Sequence, residues 1–542
     1  MGFEPDSASA IAIVGAGPTA ASLLERIVAN VPTVFGDHPL HIHLVDPHPP
    51  GLGRVWRPDN HPGLWMNSLA EDVTLFTDES VVCDGPIVPG PSLHEWAHAI
   101  GEGELSALAD DALATEIRSL AGTTFPTRRV QSVYLEWFHR RVADALPPNV
   151  ELIVHRRTAI DLHEEAGRDV ITLDDGELVV ADAVVLALGH LDATPDAAAQ
   201  RFADAAVRHR LTYLAAGHTA ELDLSVLHAG EDVIVSGFGQ AFTDLVVLVT
   251  EGRGGRFVTR SDGTLQYVAS GREPILHVGS RRGVPYRSKL DYRLLAPRAP
   301  LPQFFDDRAI EDLLAAPGPL DFRRDVLPLV DKEVGWAYYH ELFHAHGDRV
   351  AGPWPAFAAE YSNAHGHQAL RDVVARWVPD DSDRWNIEAL DTPLAARRFE
   401  SADAAHHHIC DHVRGDVARR TDARYSADLG AFNALLATFA AIGRIAASGG
   451  LTPRSRVEDV GDWWFSFFMY FASGPPPARL RQLLALEAAG LVRFLGPGLH
   501  VEVDERAGAF VATSSAHPGT RTAGALVDAR IAPPSVSRAA DR

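Results

Sequence analysis

Apolar residues fall into two alternating patterns along this chain: short unbroken runs, and the i, i+3, i+4, i+7 spacing of a single helix face. The first run, Ile11 to Val14, meets Gly15-Ala16-Gly17, after which Ala20, Leu23, Leu24, Ile27 and Val28 recur at helical spacing. The pattern predicts strand, tight turn and helix. The next run, HIHLVDP (41–47), predicts a second strand closing on Asp46. Together these make the opening βα unit of a dinucleotide-binding domain. Gly15 permits the turn, and Gly17 leaves room for a pyrophosphate at the helix N-terminus. Ala20 keeps the third position small, and Asp46 is placed to bond a ribose hydroxyl.

A Pro/Gly-rich loop (47–63) and the stretch LWMNSLAEDVTLFTDESV (64–81) follow. They leave the carboxyl end of the second strand, where such folds bind ligands. The loop is either a cofactor wall or a plain surface connection. Trp56, Trp65, Asn67 and Thr74 are the candidates to line a cofactor ring, each with a structural alternative. Asn67 and Arg54 are the candidate catalytic residues. Residues 92–146 read as amphipathic helices, with FPTRRVQSVY (125–134) as a turn carrying Arg129, Gln131 and Tyr134. Strands return at 149–190, the last ending on Gly189, where the chain would pass the cofactor.

The pattern then repeats. DVIVSGFGQAFTDLVVLVTEG (232–252) predicts a strand, the turn Gly237-Phe238-Gly239 and a helix. Phe242 stands at the third small position, where it either pushes the helix away or fills a wider groove. A hairpin (255–271) delays the next strand, PILHVGSRRG (274–283), which presents Ser280-Arg281-Arg282 where the first unit presents Asp46. An acid bonds a free ribose, whereas arginine accommodates a 2′-phosphate. The turns therefore predict different dinucleotides, unless the arginines form only a solvated basic turn.

Residues 291–447 carry helical spacing and no strand pattern. His406-His407-His408 with Cys410 and His412 has no further ligands at a recognised spacing, so no metal site is assigned. The order helix, strand, hairpin, returning strand after the first domain's helices recurs at 450–531. The expected fold is α/β: two Rossmann-like dinucleotide-binding domains, the first for a dinucleotide with a free ribose and the second for a phosphorylated one, with a helical insertion. The boundaries are 1–205 for the first, 206–290 and 450–542 for the two parts of the second, and 291–449 for the insertion.

Composition narrows the partners. A net charge of −23 over 542 residues makes nucleic acid and anionic membranes poor partners. Two cysteines build no disulfide framework. Residues 1–10 lack the basic and apolar start of a secretory signal, and the apolar run at 463–472 is far short of a membrane span. A soluble, cytoplasmic protein is expected, with an oligomer possible.

Two dinucleotide domains, acidic first and basic second, resemble the flavin-dependent oxidoreductases that take electrons from NADPH. LWMNSLAEDVTLFTDESV, FPTRRVQSVYLEWF, SGREPILHVGSRRGVPYRSK and ALVDARIAPPSVSR are similar to the bacterial FAD-NAD(P)-binding family that includes L-aspartate N-monooxygenase and is distantly related to ornithine and lysine N-hydroxylases. The resemblance implies FAD at Gly15, Gly17, Ala20 and Asp46, with Trp65 and Gly189 beside it. It implies NADPH at Gly237, Gly239, Ser280, Arg281 and Arg282. The chemistry implied is hydroxylation of a small amino acid or amine by a flavin hydroperoxide formed from O₂. Arg287 and Lys289 are candidates for a carboxylate substrate, as is Arg54. All three are equally readable as surface charge or phosphate contacts. In such proteins a C-terminal segment returns over the flavin, and the short stretch after residue 525 predicts that this cover is missing. Two other readings stand beside the monooxygenase: an NAD(P)H reductase without oxygen insertion, and a degenerate dinucleotide-binding protein.

Overall fold

The strand runs assemble into two parallel sheets of one plan. The computed structural model describes residues 8–106, 110–395, 397–531 and 538–540. The chain divides into two compact units, residues 1–200 with 531–542, and residues 201–530.

The first unit is built on β1 (Ser9–Val14), β2 (Leu40–Val45) and β3 (Val150–His155), followed by the meander β4 (Ala159–Glu165), β5 (Arg168–Leu173) and β6 (Leu178–Ala181), and by β7 (Ala183–Leu186). The parallel order is β3-β2-β1-β7. Strand alternation sorts β1 into two faces. Ile13 packs with Ala20, Leu24 and Val28 of the helix Pro18–Val34, while Ala10, Ala12 and Val14 meet Ile171, Leu173, Val179 and Ala181 of the meander. Pro18 opens that helix at a position whose backbone N–H would have no helical partner in any case.

The chain also returns to this unit, against expectation. Thr194 N–H donates to the Arg538 carbonyl at 2.7 Å, Ala540 N–H donates to the Asp192 carbonyl at 2.8 Å, and Ala193 pairs with Ala539. The returning strip lies on the segment that follows Gly189. The intervening residues 532–537, part of the stretch used for the resemblance, lie outside the described residues.

The second unit repeats the order. It contains β8 (Thr212–Leu214), β9 (Asp232–Ser236), the hairpin β10 (Arg256–Thr259) and β11 (Leu265–Val268), and β12 (Ile275–Ser280). After a long helical segment come β13 (Val492–Pro497), the meander β14 (His500–Asp504), β15 (Ala509–Ser514) and β16 (His517–Ala523), and β17 (Ala525–Asp528). The parallel order is β13-β12-β9-β17-β8. The helices between β12 and β13 bury Phe322, Trp336, Tyr339, Phe357, Trp464 and Phe467 in a core of their own.

One of them, Ala427–Ala447, is long and apolar enough by composition to cross a membrane, unlike the shorter apolar run at 463–472. It lies close against the helix Leu327–Ala345: a Cβ on Gly430 would stand 2.5 Å from the Ala337 carbonyl oxygen.

Candidate functional site

The two glycine turns share their backbone bonding. In the first, Gly15 N–H donates to the Val45 carbonyl at 2.8 Å and Ala187 N–H donates to the Val14 carbonyl at 2.7 Å. Gly15 has φ +94°, and a Cβ there would stand 2.3 Å from the Ala187 carbonyl oxygen. In the second, Gly237 N–H donates to the Gly279 carbonyl and Ala529 N–H to the Ser236 carbonyl, both at 2.9 Å. Gly237 has φ +124°, and its Cβ would lie 2.7 Å from the Ala529 carbonyl oxygen. In each turn the first glycine is required by the backbone that follows the returning strand. Gly15 therefore answers to Ala187 before any pyrophosphate.

Gly17 is different. It caps the helix Pro18–Val34 in an extended conformation with no side-chain bond, and the nearest atom to a Cβ there would be Gly53 Cα at 3.9 Å. Open amide N–H groups at a helix N-terminus form an anion site. The Pro/Gly-rich loop lies along the turn, with Gly51 N–H donating to the Ala16 carbonyl at 2.7 Å and Gly53, at φ +57°, so near that its Cβ would meet Gly17 Cα at 3.0 Å. Ala20 is buried and keeps the helix close to β1.

The Asp46 carboxylate is buried and held at both oxygens, Oδ2 accepting from Ala16 N–H and Oδ1 from His48 N–H, each at 2.7 Å. It therefore braces the glycine turn, and its remaining lone pairs stay available to a ribose.

The loop carrying Trp65 and Asn67 is joined to the start of the helix Arg128–Asp144. Trp65 pairs with Thr127, Met66 N–H donates to the Pro126 carbonyl at 2.8 Å, and Arg128 N–H donates to the Leu64 carbonyl at 2.9 Å. Further along this helix the Leu135 carbonyl oxygen would stand 2.8 Å from a Cβ on Gly51. Between these two anchor points, Gln131 is buried and its amide oxygen has no partner among the described residues. A buried acceptor left unpaired costs about 1–3 kcal/mol, so Gln131 requires a donor. Arg54 pairs with Asp192 at 3.0 Å, and both are partly exposed. Asn67 is half-buried, and Gly189, at φ +64°, is exposed with open space around it.

In the second turn Gly239 caps the helix Gln240–Val249 without a side-chain bond, but a Cβ there would meet Tyr286 Cζ at 3.3 Å and its hydroxyl at 3.4 Å. Phe242 fills a groove. It is buried, edge-to-face with Phe238 at 5.3 Å, while Leu245 and Val249 of the same helix stay in the core.

Ser280 shapes the following turn, its Oγ accepting from Gly283 N–H at 3.0 Å. The two arginines then diverge. Arg282 is taken up by Asp391, with Nη2 to Oδ1 at 2.5 Å and Nε to the backbone carbonyl at 3.1 Å, and its guanidinium lies 4.8 Å from the Tyr470 ring centre. With 8% of the side chain exposed, Arg282 is a structural cation, which corrects its assignment to a 2′-phosphate. Arg281 stays exposed. It shares Ser466 Oγ with Arg282, donating from Nη2 at 3.2 Å beside Arg282 Nη1 at 3.0 Å.

The expected substrate cations fare similarly. Arg287 is buried, with Nε 2.8 Å from Asp416 Oδ1 and Nη2 3.7 Å from Asp428, in a cluster shared with Arg419 and Arg420. Buried and paired to two carboxylates of its own chain, this guanidinium is a structural cation and not the substrate contact expected of it. Lys289 Nζ donates to the Ala472 carbonyl at 2.6 Å and lies 5.6 Å from the Phe432 ring centre.

The pattern of an FAD-NAD(P)-binding family matches residues 12–191. Over 98% of its length the chain is 36% identical to the L-aspartate N-monooxygenase (nitrosuccinate-forming) of Streptomyces davaonensis, of which it covers 83%. It is also 36% identical to the enzyme of that name from Streptomyces cremeus, covering 98% of this chain and 81% of that one. A nitrosuccinic acid synthase of Aspergillus oryzae is 34% identical, with 98% and 80% covered. The chain belongs to this family of flavin-dependent monooxygenases. As a member it is an oxidoreductase that takes FAD and a nicotinamide dinucleotide, NAD(P)H, with O₂ and a small molecule as substrates.

In this monooxygenase the histidine-rich helix brings together His406, Cys410 and Glu487. His406 Nδ1 accepts from Phe494 N–H at 3.1 Å, which places the ring proton on Nε2, 2.9 Å from Glu487 Oε1. A neutral imidazole bonded in this way has no lone pair left for a metal. Burial, followed by the nearby Glu487, pushes the Cys410 thiol up to about 12, so it is not a thiolate. The cluster is a packed hydrogen-bond pair.

Sequence reasoning missed Gly53, Tyr286, Ser466 and Asp391 as neighbours of the turns, and it left Gln131 without a role. The glycines of PHPPGLG were a usable signal for Gly53. Asp391 has none, since it stands 109 residues from Arg282.

Proposed function

We propose that this flavin-dependent monooxygenase N-hydroxylates a small amino acid, with L-aspartate as the first candidate. The identity to L-aspartate N-monooxygenases over 98% of the chain carries the reading. We assign FAD to the first turn. Its diphosphate would lie on the open helix N-terminus between Gly17 and Gly53, and Asp46 would take a ribose hydroxyl. Two observations support the fit: the cradle that a Cβ on Gly17 would begin to fill, and the orphan Gln131 oxygen, which needs a donor of the kind a flavin amide supplies. We assign NADPH to the second turn, with Gly239 under the pyrophosphate and Ser280 and Arg281 at the phosphorylated ribose.

When bound, FAD supplies electron transfer from NADPH and the activation of O₂. The chain's own residues do the rest. Main-chain amides at each helix start hold phosphate, Asp46 orients the adenosine end, and Trp65 with Asn67 walls off water. The substrate amine reacts only when neutral, so its site must favour loss of the ammonium proton while cations hold its carboxylates. Arg54, partly exposed beside Asp192, keeps that assignment, whereas the Lys289 ammonium is taken up by the Ala472 carbonyl.

The test is turnover of the purified flavoprotein with NADPH, O₂ and a panel of amino acids that includes L-aspartate, with N-hydroxylated product read by mass spectrometry. Amino-acid-dependent NADPH oxidation that yields this product supports the reading. NADPH oxidation that yields peroxide alone with every amino acid would favour the reductase.

A further inference from the structure

The shared plan of the two turns leaves one difference unexplained. Beside Gly17, the glycine over which a pyrophosphate passes, lies only the side-chain-free backbone of Gly53, its Cα 3.9 Å from where a Cβ would stand. Around its counterpart Gly239 there is a phenol ring. Three atoms of Tyr286 (Cζ, Oη and Cε2) lie 3.3, 3.4 and 3.5 Å from where a Gly239 Cβ would stand. A pyrophosphate bound at such a turn lies against the second glycine and the first amides of the helix, so the ring fills the volume it needs.

We propose that Tyr286 is a displaceable cover on the nicotinamide-dinucleotide turn, closing it until NADPH pushes the ring aside. The inference rests on the assignment of NADPH to this turn. The way the ring is held supports it. The Tyr286 hydroxyl makes no hydrogen bond among the described residues, and the ring rests on packing, including an edge contact with Tyr470 at 6.3 Å. The backbone is fixed separately, through Tyr286 N–H donating to the Phe238 carbonyl at 3.3 Å. A side-chain rotation can therefore clear the turn without breaking a polar contact or moving the chain. The helix beneath has no side-chain cap, so what the ring uncovers is a set of amide donors suited to phosphate. Arg281 and Arg282 both act electrostatically on the hydroxyl, which places the ring beside the basic turn as well.

A cofactor that must first open its site binds more weakly by the fraction of molecules already open. Removing the ring should therefore tighten binding. The experiment is calorimetric titration of the FAD-loaded enzyme with NADP⁺ and, separately, with adenosine 2′-monophosphate, which has no pyrophosphate. Tyr286→Ala should bind NADP⁺ about threefold to tenfold more tightly than the parent. Tyr286→Phe, which keeps the ring, should match the parent, and the monophosphate should bind all three alike. Equal NADP⁺ affinity in Tyr286→Ala and the parent overturns the proposal. Weaker affinity in both variants also overturns it, by making the hydroxyl a ligand. Adding Gly239→Ala to Tyr286→Ala separates the underlying assignment. Its methyl group should weaken NADP⁺ again, and no change there would remove NADPH from this turn and the cover with it.

Discussion

The carbonyl oxygen of Ala187 lies 2.3 Å from the point a Cβ on Gly15 would occupy, and Gly15 is held at φ +94°. Two residues apart in the same turn, Gly15 and Gly17 therefore do different work. Gly15→Ala should destabilise the protein by about 1–3 kcal/mol or more, through left-handed strain and a backbone clash. Gly17→Ala has ordinary φ and only a 3.9 Å neighbour. It should melt within a degree or two of the parent, since an unobstructed substitution stays within about 0.5 kcal/mol, yet purify with little FAD. Thermal unfolding and flavin absorbance read the two effects separately. Full flavin content in Gly17→Ala would move the cofactor elsewhere.

The adjacent arginines should separate in the same way. Losing Arg281 removes a charge-assisted contact of about 1.5–3 kcal/mol, so Arg281→Ala should lower the NADPH-to-NADH ratio of kcat/KM about tenfold to a hundredfold. Arg282→Ala leaves Asp391 buried without its cation, a loss of about 3–5 kcal/mol in stability. Its effect should appear in the melting curve, with the cofactor ratio of the folded fraction little changed. A ratio that responds to Arg282 and not to Arg281 would reverse these roles.

Asp428 links the turn after β12 to the helical core, and it sets an acid limit. Burial works against its charge, but the bonded Arg419, with Arg420 and Arg287 behind it, prevails and holds the carboxyl down to about 2. A carboxylate depressed in the folded state contributes stability that is full above its unfolded value near 4 and is lost as the pH falls through the folded one. The contribution is on the order of 2 kcal/mol. Asp428→Asn should lower stability at neutral pH, and its difference from the parent should narrow between about pH 4 and pH 2. Urea unfolding across that range measures it, and a difference independent of pH would mean that Asp428 is not the titrating group.

The two cysteines should differ in reactivity. Cys83 is exposed, whereas Cys410 is buried with its thiol pushed up to about 12. An aromatic disulfide reagent at pH 8 should titrate one thiol in the folded protein and two in denaturant. Zinc should leave the melting temperature unchanged, because the His406 tautomer offers it no lone pair. Rapid labelling of a second thiol under native conditions would show that the histidine-rich helix opens.

Much of the architecture was legible in the one-dimensional pattern, for a physical reason. Strand and helix periodicity is local, and a tight turn needs glycine wherever it occurs, so IAIVGAG and VIVSGFG announced both sheets. The swap from Asp46 to Ser280-Arg281-Arg282 is likewise local chemistry at a strand end. The internal echo worked because β3 to β7 and β13 to β17 repeat the same order of short patterns. What each charged or glycine residue does, by contrast, depends on partners that spacing cannot reveal. Arg281 and Arg282 look alike in sequence, and Asp391, more than a hundred positions away, decides which of them stays exposed. Arg287 reads as a substrate cation until Asp416 and Asp428 close around it. Gly17 and Gly239 hold equivalent positions, and only the fold lays Gly53 beside one and Tyr286 over the other. The sequence by itself determined the elements, their order and the chemistry offered at each strand end. The tertiary structure alone decided which of those groups are consumed by packing and which remain for a ligand, because burial and ion pairing are properties of contacts between distant parts of the chain.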